Sequence, residues 1–313
     1  MGELICQIPA PLKPGDLLCV VATSGALREV EKFEQGVAIW RARGYRVKLC
    51  LGYDQSWGYL AGGDVERRHQ LLSALKNPEC RGILCARGGY GGTRLLEDWL
   101  WPEPLSRQSK WLIGFSDITS LLWSGFCQGF AGVHGPLLTT LSQEPEGSVE
   151  RLFNWVERHR LSPLQGEPWV EGEANGILMP ANLTVATCLL GTPHEPDLTD
   201  AILAFEDVTE APYRLDRMLT HWRMLGRFNQ VKGIALGRFS QCTPPPNMPS
   251  FSAEEVLRER LGDLGIPIVA GLPFGHDGEN AALPVGVPAY LNGFTGKLSF
   301  PKHGPPANKI ALT

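Results

Sequence analysis

The stretch Trp111-Leu112-Ile113-Gly114-Phe115-Ser116-Asp117-Ile118-Thr119-Ser120-Leu121-Leu122-Trp123 passes from an apolar run through a glycine into a second apolar segment. A short apolar run followed by a helical segment predicts a buried strand of a parallel sheet leading into a helix. Ser116 then falls in the strand-to-helix turn. There a hydroxyl points away from the sheet, and the helix N-terminus offers backbone N–H groups without intrahelical partners. Ser116 is therefore a candidate nucleophile, its duller alternative being a helix N-cap. The pattern is not G-x-S-x-G, because Ile118 stands where the second glycine would be.

The same alternation of strands and helices extends on both sides, from Asp16 to about His134. Leu17 to Ala22 reads as a buried first strand, and Val30, Phe33, Val37 and Trp40 recur on one face of a helix closed by Gly44. A strand near Tyr45 to Leu51, a helix from Val65 to Leu75 and a strand from Gly82 to Ala86 follow. That last strand opens into Arg87-Gly88-Gly89-Tyr90-Gly91-Gly92. This order predicts an α/β protein whose N-terminal domain, residues 1–165, is a three-layer, mainly parallel sheet. Between Leu141 and Gly176 the chain turns polar and Pro/Gly-punctuated, apart from a helical stretch at Val149 to Arg158, which sets the boundary near residue 165. Residues 166–313 are expected to form a smaller, β-rich α+β domain. It carries a helix at Tyr213 to Leu225, a strand at Val231 to Leu236 and a capping box of Ser252 with Glu255.

With 313 residues, 43% hydrophobic content, 20% charge and a net charge of -4, the chain has material for two cores and lacks the basic excess of a nucleic-acid binder. Its eight cysteines show no C-x-x-C pair and are expected to be reduced and buried. Met1 to Cys6 lacks a basic leader, and no apolar stretch reaches membrane length, so a cytoplasmic location with no membrane partner is expected.

A serine nucleophile needs a base and an orienting acid. Glu206 ends the apolar run Ile202-Leu203-Ala204-Phe205, although with Asp207 and Glu210 it also reads as a solvated acidic turn. His276 lies in Gly275-His276-Asp277-Gly278, where flanking glycines give the backbone room to aim a ring. Among seven histidines its serious competitor is His134, in Gly132-Val133-His134-Gly135-Pro136, which could line the pocket or satisfy a buried hydrogen bond. The loop Arg87 to Gly92 could be a phosphate cradle, an oxyanion donor or a tight connection. The phosphate reading is weakest, because no Lys-Ser/Thr follows and Arg94 occupies the last glycine slot of G-x-G-x-x-G. His276, Asp277 and Glu279 sit in one short segment without an H-E-x-x-H pair, so neither metal nor cofactor is expected.

The blocks ARGGYGG (Ala86 to Gly92), GFSD (Gly114 to Asp117), ILAFEDV (Ile202 to Val208), APYRLDRML (Ala211 to Leu219) and LPFGHDGEN (Leu272 to Asn280) resemble the LD-carboxypeptidases. These are serine peptidases of peptidoglycan recycling, with microcin-immunity relatives. The resemblance runs from Lys13 to Gly286. It implies Ser116 as nucleophile, His276 as general base and Glu206 as orienting acid, with backbone N–H groups of Gly89 and Asp117 as the oxyanion hole. A carboxypeptidase must also recognise a terminal carboxylate, for which Arg87 beside the loop is the guanidinium candidate; Tyr90 and His134 are the other substrate-binding candidates. The implied substrate is a murein tetrapeptide that loses its C-terminal D-alanine. Two alternatives stay open: a microcin-type enzyme cleaving peptidyl or aminoacyl nucleotides, for which Trp57, Tyr59 and Trp169 are available as a base platform, and a catalytically silent protein binding a small ligand. A homodimer is also left open. One departure is Met179-Pro180-Ala181-Asn182-Leu183, where relatives carry a glycine pair before Asn-Leu. That change falls on the pocket wall or the domain junction.

Overall fold

The computed structural model describes residues 4–5, 7–102, 109–244, 246–247, 249–300 and 309–310. Its first large sheet has six strands in the order Leu283–Pro284, Val133–His134, Trp111–Gly114, Cys80–Cys85, Leu17–Val21 and Arg46–Leu49. All pair in parallel except Leu283–Pro284, which runs antiparallel to Val133–His134. Leu17–Val21 is buried at every position. Such a strand needs helices on both faces. Leu18 and Val20 pack with Phe33, Val37 and Trp40 of the helix Val30–Ala42 and with Leu152 and Phe153 of the helix Glu146–Arg158. Leu17, Cys19 and Val21 face Leu71 and Leu75 of the helix Asp64–Lys76 on the other side. The expected apolar stripe is thus real apart from Val30, which is exposed because the helix begins there.

The second sheet has eight strands. Four parallel strands, Glu173–Asn182, Ala201–Val208, Gly233–Ser240 and Ile268–Ala270, form its centre. Val287–Asn292, Lys297–Ser299 and Leu164–Gln165 extend it antiparallel on one side, and Glu167–Val170 closes the other. The parallel centre requires crossovers, supplied by the helices Leu183–Leu189, Pro212–Met224 and Ala253–Leu261. Ser252 and Glu255 make the expected capping box at the start of the last.

One of three core clusters spans both sheets. Leu121, Leu122 and Trp123 of the helix Thr119–Phe126 pack with Met179, Leu183 and Trp222. The Trp123 indole N–H donates to the Pro180 carbonyl at 3.0 Å, and the Asn182 N–H donates to Thr119 Oγ1 at 3.0 Å. The segment Met179 to Leu183 therefore lies in the junction. Removing a buried aromatic such as Trp123 costs about 3–5 kcal/mol, so the helix that follows Ser116 is held firmly on the second sheet.

The seven described cysteines are free. Two depart from the expected burial: Cys188 is exposed on the helix Leu183–Leu189 and Cys127 is half-buried; Cys6 lies outside the described residues. Among the described residues no helix is long and apolar enough to cross a membrane.

Candidate active site

Phe115 keeps the extended backbone of its strand, and the chain then turns abruptly. Ser116 has φ 63°, followed by a 3-10 turn over Ser116–Ile118 and the helix Thr119–Phe126. A serine in the left-handed region costs about 1–3 kcal/mol, a strain that tertiary structure has to maintain. Gly114 permits the turn: a Cβ there would lie 2.9 Å from Ile118 Cγ1 and 3.1 Å from Cys85 Cβ. Ser116 is thereby lifted off the sheet at the carboxyl end of its strand, where open α/β sheets bind ligands.

The glycine-rich loop leaves the next strand, Cys80–Cys85, and touches the serine. A Cβ on Gly88 would lie 2.9 Å from Ser116 Cβ and 3.0 Å from Oγ, so only glycine allows this approach. Gly89 and Gly91 have φ of 107° and 126°. The Gly88 carbonyl accepts from the Gly25 N–H at 3.0 Å, which anchors one end of the loop. The other end is held by Asp117, whose carboxylate accepts from the Gly92 N–H at 2.7 Å. Sequence reasoning places Asp117 in a first helical turn for its backbone N–H and misses this second use. The side chain is buried, and burial raises its pKa against the opposing pull of the Gly92 N–H. The Gly89 N–H has no hydrogen-bond partner among the described residues.

Glu206 is fully buried near the end of the strand Ala201–Val208, and its Oε2 accepts a 2.6 Å hydrogen bond from His276 Nδ1. His276 keeps 17% of its side chain exposed. Burial alone would lower its pKa. The Glu206 charge, with Asp207 and Asp277 behind it, outweighs that effect and raises the pKa above the ordinary histidine value. Asp207, next along the strand, binds elsewhere: it accepts from Asn182 Nδ2 at 3.0 Å and from the Thr184 N–H at 2.9 Å. Burial and the adjacent Glu206 push its pKa up to about 6. The His276 ring lies 4.7 Å from that of Phe115, the residue before Ser116. Among the described residues no hydrogen bond joins His276 to the Ser116 hydroxyl; such contacts commonly tighten only when substrate binds.

The His276 loop is fastened from two sides by residues that sequence reasoning misses. Arg238 donates to the Asp277 carbonyl at 2.5 Å and also to the Glu279 carbonyl, while the Ser240 hydroxyl donates to Asp277 at 2.5 Å. From the other side Glu144 accepts from the Asn280 N–H at 2.8 Å, and Ser148 donates to Glu279 at 3.0 Å. Burial raises the Glu144 pKa to about 7.

The remaining expected residues divide. Tyr90 is exposed on the glycine-rich loop. Arg87 adjoins it, but its guanidinium donates to the Ala26 carbonyl at 2.7 Å and lies 3.5 Å from Glu29, so it is already engaged. His134 is fully buried between two strands, and both ring nitrogens lack partners among the described residues. It stands behind the site, its ring 5.8 Å from Phe115, and burial lowers its pKa to about 4. That position removes it from any surface a substrate could reach. Trp57 and Tyr59 are exposed, the Tyr59 ring 5.7 Å from that of Tyr90, whereas Trp169 lies on an edge strand of the second sheet under Arg258. Among the described residues no group of three or more His, Cys, Asp or Glu side chains could hold a metal.

A strained serine, an imidazole oriented by a buried carboxylate and a loop with an unengaged N–H are the parts of a nucleophilic acyl-transfer site. Comparison with known proteins gives the family. Residues 18–135 match the LD-carboxypeptidase N-terminal domain, and residues 175–291 match the LD-carboxypeptidase C-terminal domain. A putative carboxypeptidase of Synechocystis is 56% identical over 93% of this chain and 96% of its own. The murein tetrapeptide carboxypeptidase of Pseudomonas aeruginosa is 34% identical over 91% of this chain and 92% of its own. Among solved structures, the muramoyltetrapeptide carboxypeptidase of Oxalobacter formigenes superposes with a TM-score of 0.80 at 28% identity, covering 90% of this chain and 97% of that one. The microcin C7 self-immunity protein shares the fold at a TM-score of 0.84 and 21% identity, covering 95% and 99%. On these matches the chain belongs to the LD-carboxypeptidase family.

Proposed function

We propose that the protein is a serine carboxypeptidase that releases the C-terminal D-alanine of murein tetrapeptide, cleaving the amide between an L-configured centre and the D-residue. Residues 1–165 supply Ser116, and residues 166–313 supply Glu206 and His276. His276, with its ring proton on Nδ1 facing Glu206, takes the Ser116 proton at Nε2 as the hydroxyl oxygen attacks the amide carbonyl. Backbone N–H groups of Gly89 and Asp117 receive the oxyanion. The imidazolium then protonates the leaving D-alanine nitrogen, and a serine ester remains. Water, losing its proton to His276, hydrolyses that ester and releases the tripeptide. A cytoplasmic place in the recycling of wall peptides accompanies this reading.

The observation that carries it is the 2.6 Å bond between His276 and Glu206 beside the strained turn at Ser116. The test is incubation of purified protein with murein tetrapeptide, reading free D-alanine. Release should persist in a chelator and fall by about 10³-fold or more in Ser116→Ala. Turnover surviving that substitution removes Ser116 from the chemistry, and loss on chelation replaces the serine mechanism with a metal-dependent one.

A further inference from the structure

We infer that Arg67 is a positioning residue for the oxyanion hole: with Asp117 it pins the Gly91–Gly92 peptide from opposite ends and so fixes the glycine-rich loop against Ser116. This deepens the peptidase reading above and rests on it for the identity of the reacting groups.

Arg67 lies on the helix Asp64–Lys76, and its side chain is fully buried. Nη1 donates to the Gly91 carbonyl at 2.9 Å and also to the Thr23 carbonyl, while Nη2 donates to Asp64. The carbonyl of Gly91 and the N–H of Gly92 belong to one peptide group. The oxygen that Arg67 holds and the N–H that Asp117 holds at 2.7 Å are therefore the two poles of the same plane. A cation sits at its oxygen and an anion at its N–H, as the peptide dipole favours. Rotation of that plane would break both bonds together. Gly91 permits the approach: its φ is 126°, and a Cβ there would lie 2.7 Å from Arg67 Nη1. Because Asp117 directly follows Ser116, the pinned peptide also ties the loop to the nucleophile turn.

The same guanidinium joins the loop to the neighbouring strand. Thr23 follows the strand Leu17–Val21, and Gly25 just beyond it donates to the Gly88 carbonyl at 3.0 Å. The residues after the loop are fastened to the helix that carries Arg67, since Asp64 holds Arg94 at 2.7 Å and Arg68 donates to the Leu95 carbonyl at 2.9 Å. Gly89, with its unengaged N–H, thus lies between two fixed points, the Gly88 carbonyl and the Gly91–Gly92 peptide. Such fixing is what an oxyanion donor needs, because a preorganised N–H spends nothing on reorientation as charge develops. A guanidinium is otherwise a poor way to fill buried space. Burial lowers its pKa, Asp64 and Asp117 oppose that shift, and Nε has no partner among the described residues. An apolar side chain of similar size would avoid the desolvation cost, but it would take the donor from the Gly91 and Thr23 carbonyls.

The test compares wild type, Arg67→Met and Arg67→Lys at a temperature where circular dichroism shows each folded. Two rates are measured: D-alanine release from murein tetrapeptide, and esterification of Ser116 by a small fluorophosphonate, in which the Oγ–P bond forms as fluoride leaves. In Arg67→Met both kcat and the labelling rate should fall by about 10²-fold with KM nearly unchanged. The pH profile should stay in place, because the His276–Glu206 pair is untouched. Arg67→Lys keeps a cation that can reach the Gly91 carbonyl and should lose only about tenfold. An arginine that serves stability alone would lower the thermal midpoint and leave kcat of the folded Arg67→Met protein at the wild-type value; that result overturns the proposal, as does a loss confined to KM. If wild type is labelled but releases no D-alanine, the peptidase reading fails while the labelling rates still decide the role of Arg67: a fall of about 10²-fold in Arg67→Met supports it, and equal rates overturn it. Should neither variant fold, the wild-type phosphonate adduct decides. A phosphonyl oxygen hydrogen-bonded to the Gly89 N–H, with Gly91 still on Arg67, supports the assignment, and an oxygen lodged elsewhere overturns it.

Discussion

His276 and Glu206 lie 70 positions apart in the chain and are joined by a 2.6 Å hydrogen bond from Nδ1 to a carboxylate with no solvent exposure. A buried carboxylate that keeps one strong partner fixes both the tautomer and the aim of the ring. It also sets the ring's proton affinity, because its charge outweighs the effect of burial.

The first prediction concerns pH. A general base acts when neutral, and the His276 pKa is raised, so kcat/KM should climb with pH through an apparent pKa above the ordinary value of about 6.5. Glu206→Gln removes the charge responsible. The NMR titration of His276 should then move to lower pH, with kcat reduced by about 10⁴-fold. An unmoved titration would mean that Glu206 does not govern the ring.

Gly88→Ala probes the contact between loop and serine. The new methyl would sit 2.9 Å from Ser116 Cβ, so one of the two has to shift. Misplacement of reacting groups by about 1 Å costs roughly 10²-fold. D-alanine release should drop by that order while the circular dichroism spectrum is retained; wild-type rates would show that the loop need not approach the serine.

Asp117→Ala should destabilise the fold by about 1–3 kcal/mol, since it strands the buried Gly92 N–H, and activity should fall as the loop loosens. Asp117→Asn keeps an acceptor oxygen and should recover most of the stability. Urea unfolding of the two variants separates them, and equal loss in both would point to the charge rather than the hydrogen bond.

Glu144 offers a stability test. Its folded pKa of about 7 is above the ordinary 4.5, so its protonated form favours the folded state. That contribution is complete below about pH 4.5 and is lost as pH rises through about 7. Thermal midpoints measured across this window should decline less in Glu144→Gln, whose amide oxygen can still accept from Asn280. Parallel curves for wild type and variant would exclude Glu144 as the source of a decline.

Local pattern carried the strand at Trp111, the turn at Ser116, the helix faces and the capping box at Ser252, because each is written within a few consecutive residues. The fastening of the glycine-rich loop by Asp117, and of the His276 loop by Glu144 and Arg238, joins residues 25, 136 and 39 to 41 positions apart. Periodicity holds no record of such pairings. His134 shows the same limit. Its glycine-flanked setting leaves open a place on the pocket wall or in the interior, and the antiparallel partner from the far end of the chain that covers it decides for the interior. Arg87 reads as a substrate-binding candidate in the sequence, which holds no sign of its pairing with Glu29, 58 positions away at the cap of the helix Val30–Ala42.

That late partner, Leu283–Pro284, has a consequence for biosynthesis. The first sheet receives its sixth strand only after nearly the whole polypeptide has left the ribosome, although its other five are made within the first 134 residues. Until then the strand at Val133 presents an open edge, the kind of surface on which nascent chains associate. A premature stop codon shortly before Leu283 should therefore yield insoluble protein rather than a weakened enzyme, and the N-terminal half should resist expression as an independent fragment.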